Sequence, residues 1–430
     1  MSILGRPAVG EFGRDGRVEV ALRELVGRLL PAFDAAFPTA VLHELTAFLT
    51  DAVDARSVNL WLADYDVRVL GGLAGPDGTD VGERLLADRS TPAGAAFTDQ
   101  QPVTVGSLAG AVTVYLPVSL RAERLGVLQV EVVSPVAPDT LDGLGEVALT
   151  VAYVLKLAAR YTDAFERIRR PQPLSVAAEV QWSLLPALAF GCDEFTVAGR
   201  LAPAYRVGGD GYDYCVTPDA LWLAVTDAMG HALPASALTA IAVNALRDRR
   251  RAGDDLAAQA TAAADALAQV FGGDRFVAAV LLTVDLATGR GQMISAGHPS
   301  PYLLRAKAPA TLLDLPHQLP LGLLTGTGTG YRAAPVTLRT GDRLVFTTDG
   351  VLEARCPDGT EFGDRLPHEL AATAADSAHQ VVEQIHRSLL TTTGGGLRDD
   401  ATVVALDWRG RSAHHARIQD SPARPDAFQS

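Results

Sequence analysis

The sequence predicts an α+β protein with two folded domains, and three observations support this prediction. The first is that 430 residues, of which 48% are hydrophobic and 20% charged, are enough for two or three domains with apolar cores. The second is that alternating apolar patterns typical of strands occur in both halves of the chain. The third is that the strands of the second half surround a pair of helical patterns, which favours a layered α+β domain over a doubly wound sheet.

A small first domain is expected at residues 35–155, after an N-terminal segment and helix at residues 1–34. Helical spacing of apolar residues begins at Val18 and returns over residues 40–53. Period-two alternation predicts two hairpins, with strands at residues 57–65, 67–70, 111–118 and 125–133. The order of helix, hairpin, crossover, hairpin and closing helix predicts a central antiparallel sheet.

This first domain resembles a GAF domain. The resemblance rests on residues 61–64, 91–97, and 116–118 followed by 125–128, and it covers about residues 35–155. It implies an α/β sensor domain. Whether that domain binds a small-molecule ligand is left open by the resemblance.

A helical linker is expected at residues 141–187, because apolar residues recur at helical spacing on both sides of Pro171 and Pro173. Two interpretations of its apolar positions remain open. They either pack against a domain or form the pairing face of a homodimer. These positions are Val147, Leu149, Val151, Val154 and Leu155.

The second domain is expected at residues 188–408, followed by a disordered tail at residues 409–430. Strands are expected at residues 195–201, 221–226, 276–285, 291–296, 343–347 and 402–408, and helices at residues 234–250 and 256–271.

Aspartates stand beside the apolar runs of this second domain. Asp210 follows Gly208-Gly209, Asp227 ends an apolar run, and Asp349 ends another. The pair Asp399-Asp400 comes directly before the last predicted strand. Crowded carboxylates repel one another unless a cation lies between them, and Mg²⁺ and Mn²⁺ prefer oxygen ligands. One Asp-Gly pair alone would indicate only a turn, but several in this arrangement predict a divalent metal site assembled by folding.

Residues 174–408 resemble the PPM, or PP2C-like, serine/threonine phosphatases of the bacterial sporulation and stress-response type. The resemblance is carried by residues 207–210, 227–231, 295–301, 341–344, 348–351 and 399–402. It implies an α-β-β-α sandwich and a centre of two Mn²⁺ or Mg²⁺ ions that hydrolyses phosphoserine or phosphothreonine on a protein. Two such ions activate a water molecule and stabilise charge during an in-line displacement.

The resemblance also implies roles for individual residues. Asp227 would bridge both ions, and the carbonyl of Ala228 would complete one coordination shell. Asp349 and Asp399 would hold the other ion, with Asp210 acting directly or through water. Asp400 is the neighbour of Asp399, and since adjacent strand residues point to opposite sides, only one of the two is expected to reach metal, with Asp399 preferred.

Some nearby residues have open roles. His231 is a candidate for protonating the leaving oxygen. His298 is interpreted as a structural turn histidine. Arg206 either contacts phosphate or forms a surface ion pair. Gly211 and Ala232 depart from the family pattern, and Gly211 is expected to loosen the loop after Asp210.

Composition limits the other functions of the chain. A net charge of −13 and a pI near 5.1 argue against a dedicated nucleic-acid binder. The basic runs at residues 167–170 and 247–251 are interpreted as solvated helix ends. Cys192, Cys215 and Cys356 have no metal or disulfide spacing. The sequence has neither a signal-peptide pattern nor an apolar run long enough to span a membrane, so a soluble, cytoplasmic protein is expected.

Taken together, these features predict a phosphatase regulated by the N-terminal sensor domain. Its substrate, by resemblance, is a phosphorylated anti-sigma-factor antagonist. The alternative is a ligand-responsive signalling scaffold whose phosphatase-like domain binds a partner without turnover. A nucleotide-cleaving metallohydrolase is disfavoured because the phosphate-binding Gly-x-x-x-x-Gly-Lys loop is absent from the sequence.

Overall fold

The chain divides into two compact units, Met1–Pro171 and Gln172–Ser430. The structure, a computed structural model, describes residues 17–74, 80–106, 110–205, 208–305, 308–323, 330–394, 397 and 399–411, with side chains from residue 26 onward. Arg206, residues 1–16 and most of the expected tail lie outside the described residues. No helix in the described ranges combines the length and apolar character needed to cross a membrane.

The first unit is built on an antiparallel sheet. Its helices are α1 (Arg17–Ala35), α2 (Val41–Val53), α3 (Pro92–Asp99), α4 (Pro138–Ala158) and α5 (Ala164–Arg169). Its strands are β1 (Ser57–Ala63), β2 (Val69–Ala74), β3 (Asp80–Leu86), β4 (Val103–Gly106), β5 (Ala111–Leu120) and β6 (Glu123–Val133), in the order β3-β2-β1-β6-β5-β4. Both expected hairpins are present, because β1 pairs with β2 and β5 pairs with β6.

Helices cover both faces of this sheet. Leu60, Val114 and Leu128 pack with α1, α2 and α4 on one face. Trp61 and Val127, their neighbours on the strands, pack with α3 on the other face. The alternation of side chains along each strand therefore supplies two apolar cores, one on each side.

The expected helical linker is three separate helices: α4, α5 and α6 (Val176–Leu184). Val147, Val151 and Leu155 are buried in the core of the first unit, whereas Leu149 is 47% exposed. Val154 is half-buried and also packs against that core. The five apolar positions therefore do not share one pairing face, and α4 packs against its own unit through four of them.

The sequence suggested that the basic end of α5 is a solvated helix end, and this expectation is wrong for Arg169. Arg169 lies over the ring of Tyr65 at 4.5 Å and donates to the carbonyl of Ala63 at 3.0 Å. Tyr65 in turn donates a hydrogen bond to Glu166. The guanidinium of Arg169 is thus held by an aromatic ring and by a carbonyl group. The helical pattern of the sequence does not reveal these contacts, because both partners lie far away in the chain.

The second unit contains two sheets. Its further strands are β7 (Ala189–Gly191), β8 (Phe195–Ala202), β9 (Asp210–Val216), β10 (Ala220–Ala228), β11 (Val277–Asp285), β12 (Arg290–Ala296), β13 (Tyr302–Arg305), β14 (Thr311–Leu312), β15 (His317–Gln318), β16 (Ala334–Thr337), β17 (Asp342–Thr347) and β18 (Ala401–Trp408). Its helices after α6 are α7 (Ala232–Arg251), α8 (Leu256–Phe271), α9 (Asp349–Leu352), α10 (Phe362–Ala372) and α11 (Ala378–Thr392).

The sheets pack face to face between two helical layers. One sheet has the order β15-β12-β11-β10-β9, with β16 also on β12, and the other has the order β14-β13-β17-β18-β8-β7. Leu223 and Leu282 of the first sheet meet Phe346 and Val404 of the second in a shared core. Helices α7 and α8 cover the outer face of the first sheet, and α10 and α11 cover the second. This confirms the expected α-β-β-α sandwich.

The arginine run at the end of α7 was also expected to be solvated, and this expectation is wrong for two of its members. Asp213, which is 3% exposed, accepts from Arg247 at 2.9 Å and from Arg250 at 3.1 Å. Arg250 also lies 4.2 Å from the ring centroid of Trp222. The end of α7 is thus fixed to its sheet by ion pairs, because a carboxylate at this depth needs positive partners.

Candidate metal centre

Two of the predicted carboxylates lie on neighbouring strands of one sheet. Asp210 begins β9 and Asp227 lies near the end of β10, and the two residues are direct partners in the antiparallel pairing. Side chains of partnered residues point to the same face, with Cβ atoms roughly 5 Å apart. The pairing register therefore brings Asp210 and Asp227 together.

The second sheet contributes the other carboxylates. Thr347, the last residue of β17, pairs with Val403 of β18. Asp349 and Asp399 therefore lie just beyond the ends of two neighbouring strands. Asp349 begins α9 immediately after β17, and Asp399 precedes β18. Asp349 also lies close enough to Asp227 of the first sheet to raise the pKa of Asp227. The structure thus brings together carboxylates from both sheets, as the sequence predicted.

The crowding of these groups changes their proton affinities. Burial, the charge of Asp349 and its hydrogen bond, and then the charges of Asp399 and Asp400, raise the pKa of Asp227 to about 8. Burial and the charge of Asp227 likewise raise the pKa of Asp210 well above its usual range. A site that holds excess negative charge in this way is suited to cations.

Asp210 is held by hydroxyl groups from the second sheet. Its Oδ2 atom accepts from the hydroxyls of Thr348 at 2.6 Å and Thr402 at 2.7 Å, and the carboxyl is 2% exposed. The backbone N–H of Thr402 donates to the hydroxyl oxygen of Thr348 at 2.9 Å. Asp210 is therefore fixed in orientation.

Asp400 forms the reverse connection, from the second sheet to the first. Its Oδ2 atom accepts from the backbone N–H groups of Gly208 and Gly209, both at 2.6 Å. Asp400 therefore positions the glycine loop, whereas the side chain of Asp399 is exposed. The preference for Asp399 over Asp400 as a metal ligand stays a prediction.

Close backbone approach explains the glycines of this region. A Cβ atom on Gly208 would lie 2.5 Å from the nitrogen of Ala232, and a Cβ atom on Gly350 would lie 1.9 Å from the carbonyl oxygen of Asp400. Neither distance is compatible with a side chain. The glycine loop therefore packs its backbone directly against the start of α7, and the turn after β17 packs its backbone directly against Asp400.

The expectation that Gly211 loosens a loop is wrong. Gly211 lies inside β9, where it pairs with Thr226, and its carbonyl accepts from the Thr226 hydroxyl at 3.3 Å. A Cβ atom there would lie 3.1 Å from Thr226 and Thr239 and 3.2 Å from Gln181. Glycine at this position allows tight packing of a strand, since the space for a side chain is taken by neighbours.

The other predicted residues occupy different environments. Ala228 ends β10, and its N–H donates to the carbonyl of Gly209 at 3.3 Å. His231 is exposed and precedes α7 without a capping hydrogen bond from its side chain. Ala232 begins that helix with a φ of 59°, the left-handed region that glycine tolerates better. His231 lies close to Asp227 in the sequence, and its catalytic role stays a prediction.

His298 is a buried turn residue. It is 2% exposed, and its Nδ1 atom lies 2.9 Å from the carbonyl of Pro299. Its own carbonyl accepts from the hydroxyl of Ser295 at 2.8 Å. Burial lowers the pKa of His298 to about 4, so the ring is neutral near pH 7. These contacts agree with a structural role.

The hydroxyl groups that support the glycine loop and Asp210 were not predicted from the sequence. Ser236 and Thr239, one turn apart on α7, donate to the carbonyls of Gly208 at 2.8 Å and Gly209 at 2.5 Å. Thr348 and Thr402 were inside recognised motifs but received no role. Their positions in the sequence could have indicated this role, because Thr348 precedes Asp349 and Thr402 is two residues after Asp400.

The donor chemistry of the centre fits divalent cations. The grouped side chains supply carboxylate oxygens, and burial together with their mutual repulsion raises the pKa of Asp227. Within the described ranges, however, no three acidic, histidine or cysteine side chains are already arranged as a metal cage.

Comparisons with known proteins identify the second unit. The family model described as Stage II sporulation protein E (SpoIIE) matches residues 217–409. The chain is 23% identical over 235 residues to the phosphoserine phosphatase RsbU of Bacillus subtilis (strain 168), covering 54% of this chain and 69% of that protein.

Solved structures with similarity to the chain include two bacterial examples. One contains the RsbU and RsbW domains of Rv1364c from Mycobacterium tuberculosis, with 27% identity, a TM-score of 0.44, and coverage of 53% of this chain and 67% of that one. Another is the SiaA-PP2C domain of Pseudomonas aeruginosa, with 23% identity, a TM-score of 0.46, and coverage of 54% and 93%.

The layered fold, the carboxylate centre and the family match define the second unit as a PPM-type protein phosphatase domain. Within that class, it is similar to the SpoIIE type, whose family model matches residues 217–409.

Proposed function

We propose that this protein is a divalent-metal-dependent phosphatase that removes phosphate from serine or threonine of a regulatory protein, with an anti-sigma-factor antagonist as the substrate class. The observation that carries the proposal is the meeting of Asp227 with Asp349 and Asp399 across two sheets of a SpoIIE-type domain. The similarity to a phosphoserine phosphatase supports the choice of substrate.

Each residue of the centre has a proposed task. Asp227, between the two sheets, would hold both Mn²⁺ or Mg²⁺ ions, with the carbonyl of Ala228 on one of them. Asp349 and Asp399 would hold the second ion, and Asp210 would contribute through one oxygen while Thr348 and Thr402 hold the other. When bound, two divalent ions supply an activated water and stabilise the charge of the transferred phosphoryl group.

The first unit is proposed to be a GAF-like sensor domain that regulates the phosphatase in the cytoplasm. Its six-stranded antiparallel sheet between helical layers supports this proposal, as do the motifs at residues 61–64 and 91–97. A small-molecule ligand of this unit and a homodimer are parts of the same proposal.

Turnover and its dependence on single carboxylates test the proposal. The chain should hydrolyse a phosphoserine peptide only with Mn²⁺ or Mg²⁺, and Asp227→Ala and Asp349→Ala should each reduce kcat at least about 100-fold, since each removes a ligand of the ions. The matched control is Asp248→Ala, which removes an exposed carboxylate of α7 that pairs with its neighbour Arg249. Unchanged turnover in both centre variants would refute the proposal.

A second candidate function is a signalling scaffold that binds a partner without catalysis. The observation that favours it is that, in the part of the chain that the structure describes, three metal-binding side chains are not preassembled. Wild-type protein that binds neither Mn²⁺ nor Mg²⁺ at millimolar concentration, and does not turn over the peptide, would support the scaffold.

A further inference from the structure

A cavity of about 390 Å³ opens beside the candidate metal centre. Asp349 and Asp399 line it together with Glu353, Arg355 and Thr393. This volume lies in the range of small-ligand sites, roughly 300–1,000 Å³. A substrate that reaches the carboxylates of the centre therefore has room for its phosphoryl group and the residue that carries it.

Arg355 is the one cationic side chain among the described residues that line this cavity. A phosphate monoester brings two negative charges to a lining that otherwise contributes the carboxylates of Asp349, Glu353 and Asp399. Negative charges that approach carboxylates are repelled unless positive groups compensate them. A guanidinium matches phosphate oxygens because its planar fork donates two parallel hydrogen bonds.

The backbone around Arg355 is rigid. Arg355 and Glu361 form an antiparallel bridge, and the N–H of Cys356 donates to the carbonyl of Thr360 at 2.9 Å. The N–H of Phe362 donates to the carbonyl of Ala354 at 2.9 Å. Cys356 and Phe362 are buried, so the hairpin is fixed to the core while the side chain of Arg355 remains at the cavity.

The present partner of Arg355 is weakly bound. Its Nη2 atom lies 2.9 Å from Oε1 of Glu361, and the two side chains are 58% and 40% exposed. Exposed ion pairs contribute little to stability, because water competes for both charges. The guanidinium can therefore exchange Glu361 for a stronger anion at small cost.

We infer that Arg355 binds the non-bridging oxygens of the substrate phosphoryl group, leaving Glu361 as it does so. The inference rests on the proposed function, since it assigns a phosphate-binding residue to that reaction. Arg355 would act as a binding group in the cavity that Asp349 and Asp399 also line, and it would release inorganic phosphate when its ion pair with Glu361 forms again.

Binding of inorganic phosphate to the Mn²⁺-loaded full chain tests this inference without turnover. By calorimetry, Arg355→Ala should raise the Kd for phosphate about 10- to 100-fold, the effect expected for loss of a charged hydrogen-bond pair. Arg355→Lys should fall between wild type and Arg355→Ala. The control is Arg365→Ala, which removes another exposed arginine that pairs with Asp358 near the same hairpin and does not line the cavity.

Glu361→Gln provides a test that does not depend on the stability of Arg355→Ala. It frees the guanidinium, so phosphate affinity should stay equal to wild type or increase. A fall in affinity in Glu361→Gln, or an unchanged Kd in Arg355→Ala, would overturn the inference, as would wild-type protein that binds no phosphate.

Kinetics separates contact with the phosphoryl group from contact with the rest of the substrate. Arg355→Ala should raise KM by a similar factor for a phosphoserine peptide and for p-nitrophenyl phosphate, while Mn²⁺ affinity is unchanged. A rise for the peptide alone would assign Arg355 to the protein part of the substrate and contradict the inference. Arginine-dependent phosphate binding without any turnover would instead refute the proposed function and leave this inference standing.

Discussion

Asp210 shows how single side chains connect the two sheets at the centre. Its buried carboxyl accepts from Thr348 and Thr402, which lie 138 and 192 residues later in the chain. Asp400 makes the reverse connection to Gly208 and Gly209. Because a buried carboxyl without partners is costly, these hydroxyls stabilise the fold and also orient Asp210.

Replacement of Thr402 tests this connection. Thr402→Val keeps the shape of the side chain but removes the hydroxyl, so we expect a loss of about 1–3 kcal/mol in the free energy of unfolding. Thr402→Ser keeps the hydroxyl and should lose less. Urea unfolding of both variants measures the difference, and equal stabilities of the Val and Ser variants would contradict the role of the hydroxyl.

His298 predicts a pH dependence of stability. Its pKa is about 4 in the folded protein and near 6.5 when unfolded, so the unfolded chain binds the proton more readily. The contribution of neutral His298 is therefore complete above pH 6.5 and is lost as the pH falls from 6.5 toward 4. Between pH 7 and pH 5, this loss amounts to about 2 kcal/mol.

The comparison of wild type with His298→Gln isolates this effect from other groups that titrate in the same range. Urea unfolding at pH 7 and pH 5 should show wild type losing about 2 kcal/mol more than the variant. Identical pH dependence in the two proteins would show that His298 is not buried in its neutral form.

Helix α7 is the element that joins the glycine loop to its sheet. Ser236 and Thr239 hold the carbonyls of Gly208 and Gly209, and Arg247 at the far end pairs with Asp213 of β9. The helix also begins with a strained residue, since Ala232 has a φ of 59°. Its N-terminus is therefore held in place by contacts that outweigh a local conformational cost.

Ala232→Gly should relieve this cost. We expect a gain of about 1 kcal/mol in the free energy of unfolding, because glycine adopts the left-handed region without steric penalty. The control is Ala240→Gly in the middle of the same helix, which should lose about 1 kcal/mol. Thermal or urea unfolding measures both changes, and a loss of stability in Ala232→Gly comparable to that in the control would contradict the strain.

The elements of the second unit were largely predictable, while their contacts were not. Alternating apolar residues located β10, β11, β17 and β18, since one side of each strand faces a core. Short or mostly polar elements such as β14, β15 and α10 escaped prediction, because their patterns are too short or too mixed.

The candidate site was predicted through its aspartates, which follow apolar runs and were recognisable by resemblance. The supporting residues Thr348 and Thr402 were not assigned, because their partner is distant in sequence and becomes adjacent only on folding. The same reason explains Arg247 and Arg250 of α7, whose partner Asp213 lies on β9, 34 and 37 residues earlier in the chain.

At the scale of the whole molecule, the chain combines a phosphatase domain of the SpoIIE type with an α/β unit of separate core. The proposed phosphatase function depends on one property of the second unit. The carboxylates of its two sheets, which raise the pKa of Asp227 to about 8, must accept divalent cations in place of protons. Cation binding should therefore strengthen as the pH rises toward 8, since metal and proton compete for the same oxygen atoms.

Calorimetric titration of the full chain with Mn²⁺ tests this property most directly. We predict two bound ions per chain in wild type and a loss of at least about 10-fold in affinity in Asp227→Asn, because this change removes the charge shared by both ions. Asp248→Asn, an exposed carboxylate of α7, should bind as wild type does. Absence of Mn²⁺ binding by wild type at millimolar concentration, or equal binding by wild type and Asp227→Asn, would contradict the account.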